Sequence, residues 1–235
     1  MVEGGKNLYG APVGILMTQT RFPRIVGDCG NARTWPFPVL FRIIADLTAW
    51  RVVRELDPER WLPPFVDAAR ALERDGAEMI TTTCGFLALF QRELADAVRI
   101  PVWTSSLLQV PWLAAQFGPA SVGVLTFEKA SLSEAHLRAA GIDAAMQLAI
   151  VGMDEIGGHF HDVIVNDWTE LDVDRARSEH LAATRLLLER APAIRAIVLE
   201  CANMPPYAQA IAQAARLPVY DLTTLVRWAA TGLGA

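Results

Sequence analysis

Two cysteines stand at corresponding places in two similar stretches of this chain. Met79-Ile80-Thr81-Thr82-Thr83-Cys84 and Ile197-Val198-Leu199-Glu200-Cys201 are apolar runs of strand length, each ending in a thiol. A thiolate can remove a proton from a carbon next to a carboxylate, and an opposed thiol can deliver one to the other face. Two such groups across one cleft would invert a stereocentre by two-base proton transfer, and loss of either would abolish turnover. A free thiol with pKa near 8.5 is only a few per cent ionised at neutral pH, so placement matters. Cys84 leads into a helical pattern starting near Phe86, and Cys201 precedes the N-capping Asn203 and the helix-opening Pro205-Pro206. Helix N-termini stabilise nearby negative charge by roughly 0.3–1 kcal/mol, and their N–H groups suit a substrate carboxylate or a developing enolate.

The elements that must hold these thiols are also duplicated. Each thiol run is followed by a second short apolar pair, Ile100-Pro101-Val102-Trp103 and Leu217-Pro218-Val219-Tyr220. Both pairs recur after 117 residues (201 − 84 and 218 − 101), and an earlier pair, residues 13–18 and 122–127, recurs after 109 (122 − 13). Strand-like runs at 13–18, 78–83, 100–104, 121–126, 146–151, 194–200 and 217–221 alternate with helical patterns at 59–74, 86–98, 131–140, 173–189 and 206–215. Such alternation predicts an α/β fold of two pseudo-symmetric lobes, each a parallel sheet flanked by helices, with the site in the cleft between them. Residues 1–106 with 222–235 form the first expected lobe, carrying Cys84, and residues 107–221 the second, carrying Cys201. The run 38–44 reads equally as strand or buried helix. Residues 21–38 and 152–169 read as long site loops, and 105–119 as the link between lobes. Ligands in open α/β sheets bind beyond the carboxyl ends of strands, where Cys84, Cys201, Thr18, Gln19 and Thr126 all fall.

Composition narrows the function classes. At 235 residues, with 52% hydrophobic and 20% charged residues, the chain can bury a sizeable core and is not a disordered one. Its net charge of −5 and scattered arginines, placed on solvated helix faces, argue against nucleic acid as a partner. No apolar run approaches the roughly 20 residues that span a bilayer, and the first residues lack a signal-peptide layout. Three cysteines do not make a disulfide framework, so a cytoplasmic location is expected. Only Lys6 and Lys129 are available as amines, the latter beside an apparent capping box, Ser131 to Glu134. Neither suits a Schiff base, so no cofactor is expected. Cys29 has no counterpart in the repeat and reads as a bystander thiol. His159-Phe160-His161-Asp162 lacks a further His or Cys cluster, so no metal is expected and a solvated loop is the reading. Glu200 either tunes its neighbour Cys201 or points away from it, as alternate strand residues do.

On Thr81-Thr82-Thr83-Cys84-Gly85 and Leu199-Glu200-Cys201-Ala202-Asn203-Met204, the chain resembles the aspartate/glutamate/hydantoin racemase superfamily over nearly its whole length. The second segment is similar to the C-A-G-M run of hydantoin racemases. The resemblance implies a cofactor-independent enzyme with one acid/base cysteine per lobe, Cys84 and Cys201. It places Thr18, Gln19, Thr83 and Thr126 at the substrate carboxylate. Gly85, Phe86, Ala202 and Asn203 complete the expected substrate-binding set. Glutamate racemases commonly carry C-N-T and C-T-H where this chain has Gly85-Phe86 and Ala202-Asn203. With the assisting His absent and Phe86, Trp35 and Phe37 at hand, a more apolar pocket than glutamate prefers is implied. The expected activity is racemisation or epimerisation of a small carboxylate-bearing or hydantoin-like (imide) substrate. Relatives that decarboxylate aryl malonates or isomerise maleate keep those reactions open. A non-catalytic two-lobed ligand-binding protein is the reading from another class. Dimers are common in the superfamily, so a homodimer fits the resemblance.

Overall fold

A computed structural model describes residues 4–233 apart from Ala11 and Leu56. The first half runs β1 (Val13–Thr18), β2 (Val39–Ile44), α1 (Ala49–Glu55), α2 (Pro58–Asp75), β3 (Met79–Thr82), α3 (Gln91–Ala97), β4 (Val102–Trp103) and α4 (Val110–Phe117). The second runs β5 (Val122–Thr126), α5 (Glu134–Ala139), β6 (Ala149–Gly152), α6 (Met153–Ile156), α7 (His159–Val165), α8 (Val173–Arg190), β7 (Ala196–Leu199), α9 (Ala208–Ala215), β8 (Val219–Tyr220) and α10 (Leu222–Thr231). The strands form two four-stranded sheets, ordered β2-β1-β3-β4 and β6-β5-β7-β8, with every pairing parallel. β1, β3, β5 and β7 are buried almost throughout, as parallel strands covered on both faces must be, which is why they read as near-continuous apolar runs.

In each sheet the chain reverses its direction of winding between the first strand and the third. The ends of β1 and β3, and of β5 and β7, are therefore topological switch points, where α/β sheets leave a crevice. The sequence repeat thus becomes a repeat of crevices. One core cluster joins residues of both sheets, including Leu16, Phe86, Leu125, Phe127 and Leu199. A second packs Leu222, Leu225 and Val226 of α10 against Val13, Ile15 and Met79 of the first sheet. Among the described residues, no helix is long and apolar enough to cross a membrane.

Four local expectations change. Residues 38–44 resolve to strand β2, which pairs with β1 along its full length. The stretch 152–169 holds α6 and α7 rather than a loop: Phe160, Val163 and Ile164 are buried at helical spacing behind Gly157 and Gly158, both at positive φ. Residues 105–119 are not a bare connector, because Leu107, Val110 and Leu113 pack with Val122 and Val124. Ser131 ends a 3₁₀ turn and Leu132 is extended, so the N-cap of α5 falls two residues later, at Ser133, whose N–H donates to His136 Nδ1 (3.2 Å).

Candidate active site

Both thiols emerge two residues beyond their strands and face the junction of the two sheets. Cys84 and Cys201 are each 8% exposed. Cys84 opens a 3₁₀ turn, Gly85–Phe90, that continues into α3. Its sulfur lies within hydrogen-bonding reach of the Phe86 and Leu87 N–H groups. Thr82 Oγ1 braces the loop by accepting from Cys84 N (3.2 Å) and donating to Thr104 O (2.7 Å). Cys201 has a different partner: its S–H donates to Asn203 Oδ1 (3.5 Å), and the Asn203 N–H also reaches it.

The lobes meet at these turns. Ser106 Oγ donates to Leu199 O (2.6 Å), and Cys29 N donates to Ala202 O (3.2 Å). Gly85 lies so close to the other lobe that a Cβ there would collide with the Glu200 carbonyl oxygen and with Glu200 Oε1. No larger residue fits after Cys84 without backbone movement, which accounts for the glycine. Asn203 Nδ2 donates to Asp28 Oδ2 (2.6 Å), while Asp28 Oδ1 accepts from Arg24 Nη1 (2.9 Å) and Gly30 N (2.7 Å). The long loop of the first lobe therefore reaches directly onto the Cys201 turn. Asp167, held at φ 51°, latches the start of that loop by accepting from Arg21 N (2.6 Å) and Phe22 N (3.0 Å).

Burial dominates the electrostatics. Desolvation, then the Glu200 charge, pushes the Cys84 thiol up to about 12, against the opposing pull of the Phe86 and Leu87 N–H groups and Arg24. The same two causes push Cys201 well above the usual thiol range, and the charge of Cys84 adds to them. Glu200 is itself fully buried. Desolvation raises its carboxyl to about 7, although Thr126 Oγ1 donates to Oε2 (2.8 Å) and the Phe127 N–H also reaches it.

The expected substrate-binding residues separate into two groups. Thr18 and Thr83 are buried at their strand ends, and their hydroxyls have no hydrogen-bond partner among the described residues. Gly85, Ala202 and Asn203 lie at the junction, and Phe86 packs its ring edge-on to His136 (5.3 Å). Thr126 is spent on Glu200. Gln19 is not brought in: it is exposed, and its Oε1 accepts from Asp46 N (2.9 Å). His159 and His161 are committed elsewhere, to Asp172 N (2.7 Å) and Glu128 Oε2 (2.9 Å). Cys29 is fully buried against Ala202 and Trp35.

Residues 62–230 match the Asp/Glu/Hydantoin racemase family. The chain belongs to that family. Dimethylsulfoniopropionate lyase 7 of Emiliania huxleyi (strain CCMP1516) is 28% identical over 219 residues, covering 90% of this chain and 64% of that protein. A dimethylsulfoniopropionate lyase of Durusdinium sp. clade D is 27% identical over 223 residues, covering 92% and 72%. The chain thus spans less than two-thirds of the length of the first of these relatives. Among solved structures, unliganded arylmalonate decarboxylase superposes with a TM-score of 0.55 at 14% identity, covering 89% of this chain and 86% of that one. Glutamate racemase from Thermus thermophilus gives 0.53 at 18% identity, covering 96% and 82%. At these identities the likeness is one of fold, and it is the racemase-family fold of paired parallel sheets.

Within that family fold, sequence reading passed over Arg24 and Asp28. Arginines were expected on solvated faces, yet the Arg24 side chain is only 7% exposed, stacked over Phe22 (4.7 Å) and bound to Asp28 and Thr20. The one sequence signal was the loop itself: polar residues in a long segment beside a site. A surface cavity of about 470 Å³ lies between Arg21 and the Asp167–Glu170 turn and includes neither thiol. A cavity of about 10 Å³ adjoins Asp28 and Asn203, walled by Phe22, Phe160 and Tyr207. Neither cavity is lined by a thiol, and burial favours the protonated form of both sulfurs.

Proposed function

We propose that this protein is a lyase that removes the proton α to a carboxylate and expels a β-sulfonio group. A dimethylsulfoniopropionate-type substrate would give dimethyl sulfide and an acrylate. The observation that carries the first half is the pair of thiols at matched strand ends, one of them on two backbone N–H donors. Cys84 is the base: its turn offers N–H groups to a thiolate, whereas Cys201 donates its S–H and is poised as an acid. The Cα–H electron pair becomes the new C=C bond, the C–S bond breaks towards sulfur, and the proton ends on Cys84. The second half rests on the lyase relatives.

The thiol carried by each lobe also favours a second reading, racemisation of a chiral α-carbon by both thiols in turn. Proton NMR in D₂O separates the two. Dimethylsulfoniopropionate incubated with the protein should yield dimethyl sulfide and acrylate. An intact sulfonio substrate, together with amino acids or hydantoins that gain α-deuterium and lose optical rotation, would replace the lyase reading with the racemase one. Loss of CO₂ from aryl malonates would replace both with decarboxylation.

A further inference from the structure

The loop that reaches onto the Cys201 turn carries a buried ion pair. The Arg24 and Asp28 side chains are 7% and 4% exposed, and such a pair offsets its desolvation only where further hydrogen bonds satisfy both partners. The loop supplies them. Thr20 Oγ1 accepts from Arg24 Nε (3.3 Å) and Nη2 (3.2 Å), Asn31 Nδ2 donates to Arg24 O (2.8 Å), and Thr34 Oγ1 donates to Asp28 O (2.7 Å). Gly30 gives its N–H to Asp28 Oδ1, and a Cβ there would fall 2.6 Å from Arg24 Cδ. These contacts hold one carboxylate oxygen and leave the other, Oδ2, facing Asn203 Nδ2 at 2.6 Å.

That last contact settles which way the Asn203 amide points. Either end of an amide fills the same space, so its neighbours decide the orientation. An accepting oxygen at 2.6 Å requires the NH₂ end, which turns the Oδ1 end towards Cys201 Sγ, 3.5 Å away. An amide oxygen can only accept, so it favours the sulfur as S–H. Reversed, the same amide would donate to the sulfur and favour the thiolate. We propose that Asp28, anchored by Arg24, is the positioning residue of the second thiol: by fixing the Asn203 amide it keeps Cys201 the proton-bearing member of the pair. Cys84 has N–H donors at its sulfur instead, so the loop acts on one thiol alone. The consequence for turnover rests on the lyase reading above, whereas the orientation of the amide does not.

The orientation can be read without substrate. In Cys29→Ser/Cys84→Ser, Cys201 is the sole thiol of the chain, and its S–H stretch falls in an infrared window clear of other protein bands. A hydrogen bond to Asn203 Oδ1 lowers the frequency of that band, so Asn203→Leu should raise it. Asp28→Asn should raise it likewise. Arg24 and the Gly30 N–H claim the oxygen of the new amide, its NH₂ end meets Asn203 Nδ2, and Asn203 turns over. A band unmoved by either substitution overturns the proposal. Should Asp28→Asn fail to fold, Arg24→Leu/Asp28→Leu carries the test, because it removes the grip on Asn203 without leaving an unpaired charge. Alkylation of Cys84 by iodoacetamide, located by peptide mass, should keep its wild-type pH profile in Asp28→Asn. A parallel change there would show a general loosening of the junction and overturn the proposal. In the chain with all three thiols, Asp28→Asn should lower kcat about tenfold with little change in KM. A shifted band with undiminished turnover would overturn the positioning role. A shifted band with no turnover of the sulfonio substrate even in the wild type would sink the substrate assignment and leave the orientation by Asp28 standing.

Discussion

The two thiol turns share a position in the fold and differ in what surrounds the sulfur. Cys84 sits at the head of a 3₁₀ turn with backbone N–H groups directed at it and a glycine beside it. Cys201 is tied by Asn203 to Asp28 and through Asp28 to Arg24, so its environment is built largely by the other lobe. Duplication supplied two equivalent strand ends, and the sequence after each then diverged: Gly85-Phe86 in one, Ala202-Asn203 in the other. On the proposed lyase reading, the first turn serves the sulfur that takes the proton and the second the sulfur that keeps its own. Equivalence of backbone therefore does not entail equivalence of chemistry.

The sharpest way to break this contrast is to remove each sulfur's acidity in turn. Cys84→Ser should cost at least about 10³-fold in turnover of the sulfonio substrate, whereas Cys201→Ser should cost only about tenfold. Equal losses would erase the asymmetry and favour the two-base racemase reading.

Next in size is a stability effect at the point where the turns meet. Burial raises Glu200 from 4.5 to about 7, so the fold binds that proton more tightly than the unfolded chain does. The associated stability is fully present below about 4.5 and is lost as pH rises through about 7. Glu200→Gln removes this dependence. Relative to wild type the variant should gain up to roughly 3 kcal/mol between those limits, read as the difference in denaturant midpoints at each pH. His180, buried and lowered from 6.5 to about 4, acts in the opposite sense, losing stability as pH falls through that interval. It is common to both proteins and cancels. A pH-independent difference would mean that Glu200 ionises alike in the folded and the unfolded chain, so that burial does not raise it.

The smallest effect is expected at the Cys201 side. Asp28→Asn keeps the shape but loosens Arg24 and Asn203, and should lower kcat about tenfold while leaving Cys84 alkylation unchanged. A matching change at Cys84 would show that the two turns are not separately tuned.

The architecture and the thiols' place within it are legible in the residue pattern alone. Parallel strands buried on both faces are written as unbroken apolar runs, and a duplicated order of runs can only be a duplicated sheet. That put Cys84 and Cys201 at matched switch points with no tertiary information. Helices α6 and α7 were hidden because Gly157-Gly158 and interleaved polar residues masked the spacing of Phe160, Val163 and Ile164. The contacts across the junction, by contrast, arise only when the two sheets dock. Gly85 meets Glu200 from a residue 115 positions away (200 − 85), and Asp28 meets Asn203 across 175. Such pairings leave no periodicity in the chain, because they depend on how two separately encoded sheets dock. The same docking buries Glu200 and Arg24, and burial is what turns ordinary charged residues into groups with a task.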